Sequence, residues 1–309
     1  MDFNIAINQT LILFLIITMG YIAGKNGVLT EDGQKSLSTV LLNIGLPCLA
    51  LSSANMAYSS EVMPNIIKIG SITIISYIVI IGLSMLLAKA LKLKDGAYNA
   101  FISLIVFGNV GFMGYPIAFA FFKEIGVFYA SIVNLIFTLL VWTYGLLLYD
   151  RQGKIDMKKL FNIGSIASVV TIFLFLFQIR LPYVIQTALD LTGKMTVSLS
   201  CILIGAMIAG VHGNKIFKDS RVFIVAFVKL LVIPIATAFI LKFLNMNDMV
   251  ISICVLMAAM PSGATNAIFA KQYNSEPEFA SIGVFITTLL SIVTLPAIVY
   301  MLTNFIFVG

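Results

Sequence analysis

Phe107-Gly-Asn-Val-Gly-Phe-Met-Gly-Tyr-Pro116 and Met260-Pro-Ser-Gly-Ala-Thr-Asn266 decide how this chain is read. Each is a small, polar, proline-containing stretch in the middle of an apolar segment, 96–122 for the first and 249–270 for the second. Neither segment can stay one regular helix in lipid. Glycines 108, 111 and 114 weaken the first, and Pro116 or Pro261 removes a backbone donor. Unpaired backbone at membrane depth survives only inside protein or against a water-filled cavity. Two such interruptions in matching halves of a hydrophobic chain point to a transporter's binding site.

Outward from these stretches, the chain is hydrophobic throughout. Sixty per cent of its 309 residues are apolar, 10% are charged and the mean hydropathy is +1.06, which a soluble domain of this length could not hide from water. Runs free of Asp, Glu, Lys and Arg cover 3–24, 36–60, 69–88, 96–122, 125–149, 160–179, 195–214, 249–270 and 279–309, and 222–241 is broken only by Lys229. Each is about the 20 residues that a bilayer crossing needs. The pattern predicts an all-α integral membrane protein of ten transmembrane helices. Asp2 stands where a secretory signal would be basic, so the first run reads as a retained helix.

The net charge of +6 is topological and argues against nucleic acid as a partner. Thirteen Lys and Arg fall in odd-numbered loops and five in even-numbered ones, which places the odd loops in the cytoplasm and both termini outside the cell membrane. Asp190 and Lys194 read as an interfacial helix-end pair. Cys48, Cys201 and Cys254 lie in apolar runs without ligand spacing, so neither a disulfide nor a metal site is expected.

Tyr129–Leu140 aligns without gaps on Phe279–Leu290, with seven of twelve positions identical, and each copy follows an interrupted helix. Five helices per half is an odd number, so the halves, 1–155 and 156–309, enter the membrane inverted, with their boundary in the polar stretch 150–160. Inverted repeats bring equivalent helices to a midplane axis, where broken helices four and nine should cross.

The restarted half-helices would offer free N–H groups and a positive dipole end to an anion. The fourth is expected to restart near Pro116, and the ninth with Ser262 or Thr265 as cap and Asn266 in its first turn. Asn109, Ser262, Thr265 and Asn266 supply directional polar groups around the crossing, and with Asn43, Gly111, Pro116, Pro261 and Gly263 they make up the expected substrate-binding set. Lys229, five residues before Pro234, is the charge deepest in an expected helix; it reads as a gating or anion-attracting group, with snorkelling to the interface as the alternative. The one histidine, His212, falls in a basic loop, and no carboxylate accompanies either interruption, so proton coupling lacks a vehicle. Sodium stays open as a coupling ion, bound by neutral oxygens. There is no P-loop and no Ser, His and Asp constellation, so neither ATP-driven pumping nor enzymatic catalysis is expected.

Val40–Leu51 with Asn43, Asn109–Pro116, Lys229–Pro234, and Met260–Gly263 with Ala270–Tyr273 together resemble the auxin efflux carrier family, which includes plant PIN-type carriers and bacterial permeases for malate and malonate. The resemblance implies two inverted five-helix repeats similar to the bile-acid sodium symporter fold, with helices 1, 2, 6 and 7 as scaffold and helices 3–5 and 8–10 as transport domain. It also implies crossover prolines at Pro116 and Pro261 and a crossover asparagine at Asn109. Without the long central loop of the plant carriers, and with a polar Ser262–Asn266, the chain is expected to carry a small organic acid anion by elevator-like alternating access. The alternatives are a sodium-coupled symporter of the bile-acid type and a channel or sensor. Expected partners are the bilayer, the anion and a second copy of the chain.

Overall fold

Prolines set the shape of several helices. A proline has no N–H for the carbonyl four residues back, and its ring pushes that carbonyl aside. In the computed structural model, which describes residues 3–55, 62–149, 161–210 and 219–306, the turn before three of these prolines widens to a π turn. Leu41–Gly45 precedes Pro47, Val110–Gly114 precedes Pro116, and Val228–Val232 precedes Pro234. Each widened turn contains the carbonyl that the proline displaces, so the helix continues past the proline at the expense of a local bulge.

The described residues are helical apart from short connections. In chain order they form α1 (Phe3–Lys25), α2 (Glu31–Ser53), α3 (Val62–Ala90), α4 (Asp95–Val106), α5 (110–122), α6 (124–149), α7 (Ile163–Leu176), α8 (Tyr183–Ala209), α9 (Arg221–Phe243), α10 (Asp248–Ala258), α11 (Ala264–Gln272) and α12 (Pro277–Met301). Side-chain caps open several of them. Thr30 accepts from the Gly33 N–H, Asn162 from Ser165 and Asn247 from Val250. Among the described residues six helical runs are long and apolar enough to cross a membrane, with α5 and α6 counted as one run of 40 residues. That run is not straight. Lys123 has φ 54° and ψ −141°, and a Cβ on Gly126 would lie 2.3 Å from the Ala118 carbonyl oxygen, so the chain turns back on itself there.

Contacts divide the chain into two compact units, each assembled from both sequence halves. Unit 1 comprises Met1–Ile69, Val110–Leu135 and Phe161–Val211. Within it α1 and α8 cross at van der Waals distance. A side chain on Gly20 would meet the Ile202 backbone, and one on Gly205 would lie 1.9 Å from the Ile17 carbonyl oxygen. Small residues in this arrangement hold membrane helices together where lipid supplies no hydrophobic drive. Phe128 packs on Phe175 with ring centroids 4.6 Å apart, and Gln186 donates to the Ser52 carbonyl. Asp190 and Lys194 pair at 2.6 Å, but α8 begins at Tyr183, so the pair sits on an exposed face about two turns into the helix and not at its start.

Unit 2 comprises Gly70–Asn109, Ile136–Leu160 and His212–Gly309. At the start of α9 the Arg221 guanidinium donates to both Asp219 oxygens, holding that carboxyl below the ordinary aspartate range, and lies 4.6 Å from the centroid of the Phe279 ring. His212 and the repeat boundary at 150–160 lie outside the described residues.

Candidate functional site

Both expected interruptions are present, and within unit 2 they are joined. Helix α4 ends at Val106 and α10 at Ala258, and the chain then runs extended through 107–109 and 261–263. Gly108 and Ser262 face each other in an antiparallel bridge. The Asn109 N–H donates to the Pro261 carbonyl at 2.6 Å, and the Gly263 N–H donates to the Phe107 carbonyl at 3.0 Å. Two breaks that would each leave orphan backbone groups thus satisfy one another, which is how a non-helical segment becomes tolerable at membrane depth.

Side chains reinforce the joint. The Ser262 hydroxyl donates to the Leu104 carbonyl at 2.7 Å, and the Asn266 amide to the Phe107 carbonyl at 2.8 Å. The same amide group donates to the Gly263 carbonyl, and the Ser103 hydroxyl donates back to Asn266 Oδ1 at 2.6 Å. From α12, Thr287 Oγ1 accepts the Ser262 N–H and donates onward to the Gly283 carbonyl. Ser103, Ser262, Asn266 and Thr287 are all almost fully buried. Two glycines stand at points of close approach. A Cβ on Gly263 would lie 3.0 Å from the Gly108 carbonyl oxygen, and one on Gly108 would lie 3.2 Å from Lys229 Nζ.

Lys229 sits in the π turn of α9 and is 3% exposed, so it does not snorkel. Its ammonium makes a long 3.5 Å contact to the Val106 carbonyl, at the negative end of α4. No carboxylate pairs with it among the described residues.

Of the groups expected to hold a ligand, Asn109, Pro261, Ser262, Gly263, Thr265, Asn266 and Lys229 come together here. Asn43, Gly111 and Pro116 belong to unit 1. The Asn43 amide is spent on the Thr39 carbonyl one turn back, Gly111 faces Leu46, and Pro116 is buried in α5. The first restart differs from expectation. Helical geometry resumes at Val110, six residues ahead of Pro116, because the π turn accommodates that proline inside the helix. At the second restart the cap is Gly263, without a side-chain hydrogen bond, in place of Ser262 or Thr265. Ser262 is instead directed at α4.

Against this network of satisfied groups, the start of α11 stands apart. Ala264 and Thr265 occupy its first two positions, where N–H groups have no intrahelical acceptor. Thr265 Oγ1 is buried and has no hydrogen-bond partner among the described residues. A helix N-terminus with an unspent hydroxyl can receive the oxygens of an anion. An open cavity of about 940 Å³, lined by Lys89, Lys94, Tyr149 and Tyr273, lies at the other end of α4, away from the crossover.

Ser103 and Thr287 were not foreseen. Both are small hydroxyl residues on otherwise apolar helices, indistinguishable in sequence from residues that bond their own helix. The one signal for Thr287 is its place in the repeated segment 279–290.

Buried half-helices joined by polar side chains, in a chain whose described residues include six helical runs long and apolar enough to cross a bilayer, mark a multi-pass membrane protein. A family model described as membrane transport protein matches residues 5–299, and the chain belongs to that family, the auxin efflux carrier family. It is similar to an uncharacterized transporter of Methanocaldococcus jannaschii, 24% identical over 97% of this chain and 100% of the relative. It is also similar to one of Methanothermobacter thermautotrophicus, 25% identical over 92% and 94%. A third, from Escherichia coli K12, is 21% identical over 95% and 96%.

Proposed function

We propose that the protein is a secondary carrier for a small organic anion, a carboxylate, which binds where the interrupted helices meet and crosses the cell membrane by elevator-like alternating access. The supporting observation is the start of α11, where two N–H groups without intrahelical acceptors and the Thr265 hydroxyl, partnerless among the described residues, lie next to the hydrogen-bonded side chains of Ser262 and Asn266. A carboxylate matches that donor set, since it accepts several hydrogen bonds and is favoured by the helix dipole. Asn266 then acts mainly as the strut that holds α11 against α4, and Thr265 as a direct ligand.

In this reading the interrupted pairs α4–α5 and α10–α11 each count as one crossing, giving ten crossings in two inverted five-helix repeats with both termini outside. The scaffold is formed by crossings 1, 2, 6 and 7, and the moving part by the other six. An inside-negative potential is worth about 2.3 kcal/mol per charge per 100 mV and favours export of an anion. Counterflow of labelled mono- and dicarboxylates in proteoliposomes tests the reading. Saturable uptake accelerated by unlabelled acid on the far side supports a carrier, and flux without saturation or acceleration refutes it.

A further inference from the structure

Two helix C-termini converge on the crossover. Both α4 and α10 end there, at Val106 and Ala258, and each brings carbonyl groups equivalent to about half a negative charge. In carriers built on broken helices, such ends together with unwound carbonyls are where coupling cations are coordinated. Here a side chain already occupies that position. Lys229 Nζ lies 3.5 Å from the Val106 carbonyl oxygen. A Cβ on Gly108 would lie 3.2 Å from Nζ and 3.3 Å from the Met260 carbonyl oxygen, so the ammonium and that carbonyl flank the same glycine. The residue is 3% exposed, and among the described residues no carboxylate neutralises it. The acceptor it meets is the Val106 carbonyl at the end of α4, with the Met260 carbonyl on the far side of Gly108.

We propose that Lys229 is the crossover's built-in counter-cation, filling the place that a metal cation would take, so that the protein runs without sodium. The proposal rests on the carrier reading above and makes Lys229 a positioning residue: it holds the two carbonyl ends together and leaves the anion to α11. The π turn ahead of Pro234 is what presents the ammonium, since the displaced carbonyl there, that of Leu230, lies one residue beyond Lys229.

The test is thermal unfolding of purified protein in sodium chloride and in choline chloride at equal ionic strength, for the wild type, K229R and K229Q. Choline is too large for a site lined by backbone carbonyls. The wild type and K229R are expected to melt at the same temperature in both salts. K229Q is expected to melt lower by about 5 °C in choline and to regain a large part of that loss in sodium. A residue that only filled space would lose stability without any response to the cation. The proposal is overturned if sodium stabilises the wild type, if K229Q melts like the wild type, or if the K229Q loss is the same in both salts. Should K229Q yield no folded protein, the wild type and K229R decide: stabilisation of either by sodium overturns the proposal, and indifference of both upholds it. Melting needs no substrate, so this outcome is separate from whether carboxylates are carried.

Discussion

Replacing Asn266 by alanine probes the joint between the two interrupted helices most sharply. The side chain is 1% exposed and makes three hydrogen bonds, one from Ser103 and one each to the carbonyls of Phe107 and Gly263. The two carbonyls keep other donors, the Gly263 N–H at 3.0 Å and the Asn266 N–H at 3.1 Å. The Ser103 hydroxyl, fully buried, loses its acceptor across the joint. At roughly 0.6–1.5 kcal/mol per bond, the loss sums to about 2–4.5 kcal/mol. For a chain of this length that corresponds to a fall of roughly 3–7 °C in melting temperature. Unfolding can be followed by the fluorescence of Trp142, the sole tryptophan, whose ring lies 5.5 Å from Phe269 on α11. Ser103→Ala should cost less alone, and the double variant should fall short of the sum by about 0.5–1 kcal/mol, because the two residues share one bond. An Asn266→Ala protein that melts with the wild type, or a strictly additive double variant, would refute the reasoning.

Two further substitutions test packing. Gly263→Ala puts a methyl group 3.0 Å from the Gly108 carbonyl oxygen and should splay the bridge, lowering transport with little change in the amount inserted; undiminished transport counts against the bridge as a working part. Gly205→Val drives a branched side chain into the Ile17 carbonyl, 1.9 Å from the Cβ position, and should reduce the yield of folded protein or drop its melting temperature by about 5 °C or more; wild-type behaviour would mean that α1 and α8 are not so close.

The places where the helices break were legible because lipid allows so few ways to house unpaired backbone. Gly108 and Pro261 stand at the observed breaks, and Lys229 was conspicuous as a lone charge in an apolar run. How the breaks are satisfied was not legible. Ser262 reads as a cap for its own helix, yet its hydroxyl reaches α4, because the extended segment before Gly263 turns it there. Asn266 reads as a ligand, yet its amide is consumed by protein carbonyls. Both outcomes depend on which strand lies opposite, and one-dimensional spacing does not carry that information. The restart at Val110 was misplaced for a different reason. Proline at a first turn is the usual arrangement, and a π turn that carries the helix through it leaves no mark in residue type.

In the proposed carrier an organic anion docks on the first turn of α11. Counterflow measured side by side for the wild type and Thr265→Val is the decisive comparison, since the substitution keeps the shape of the side chain and removes the hydroxyl that has no partner among the described residues. The account predicts saturable counterflow of a carboxylate in the wild type and an apparent affinity at least about tenfold weaker in the variant, the worth of one hydrogen bond to a charged group. Equal affinity in the two proteins, at equal amounts inserted, would contradict it.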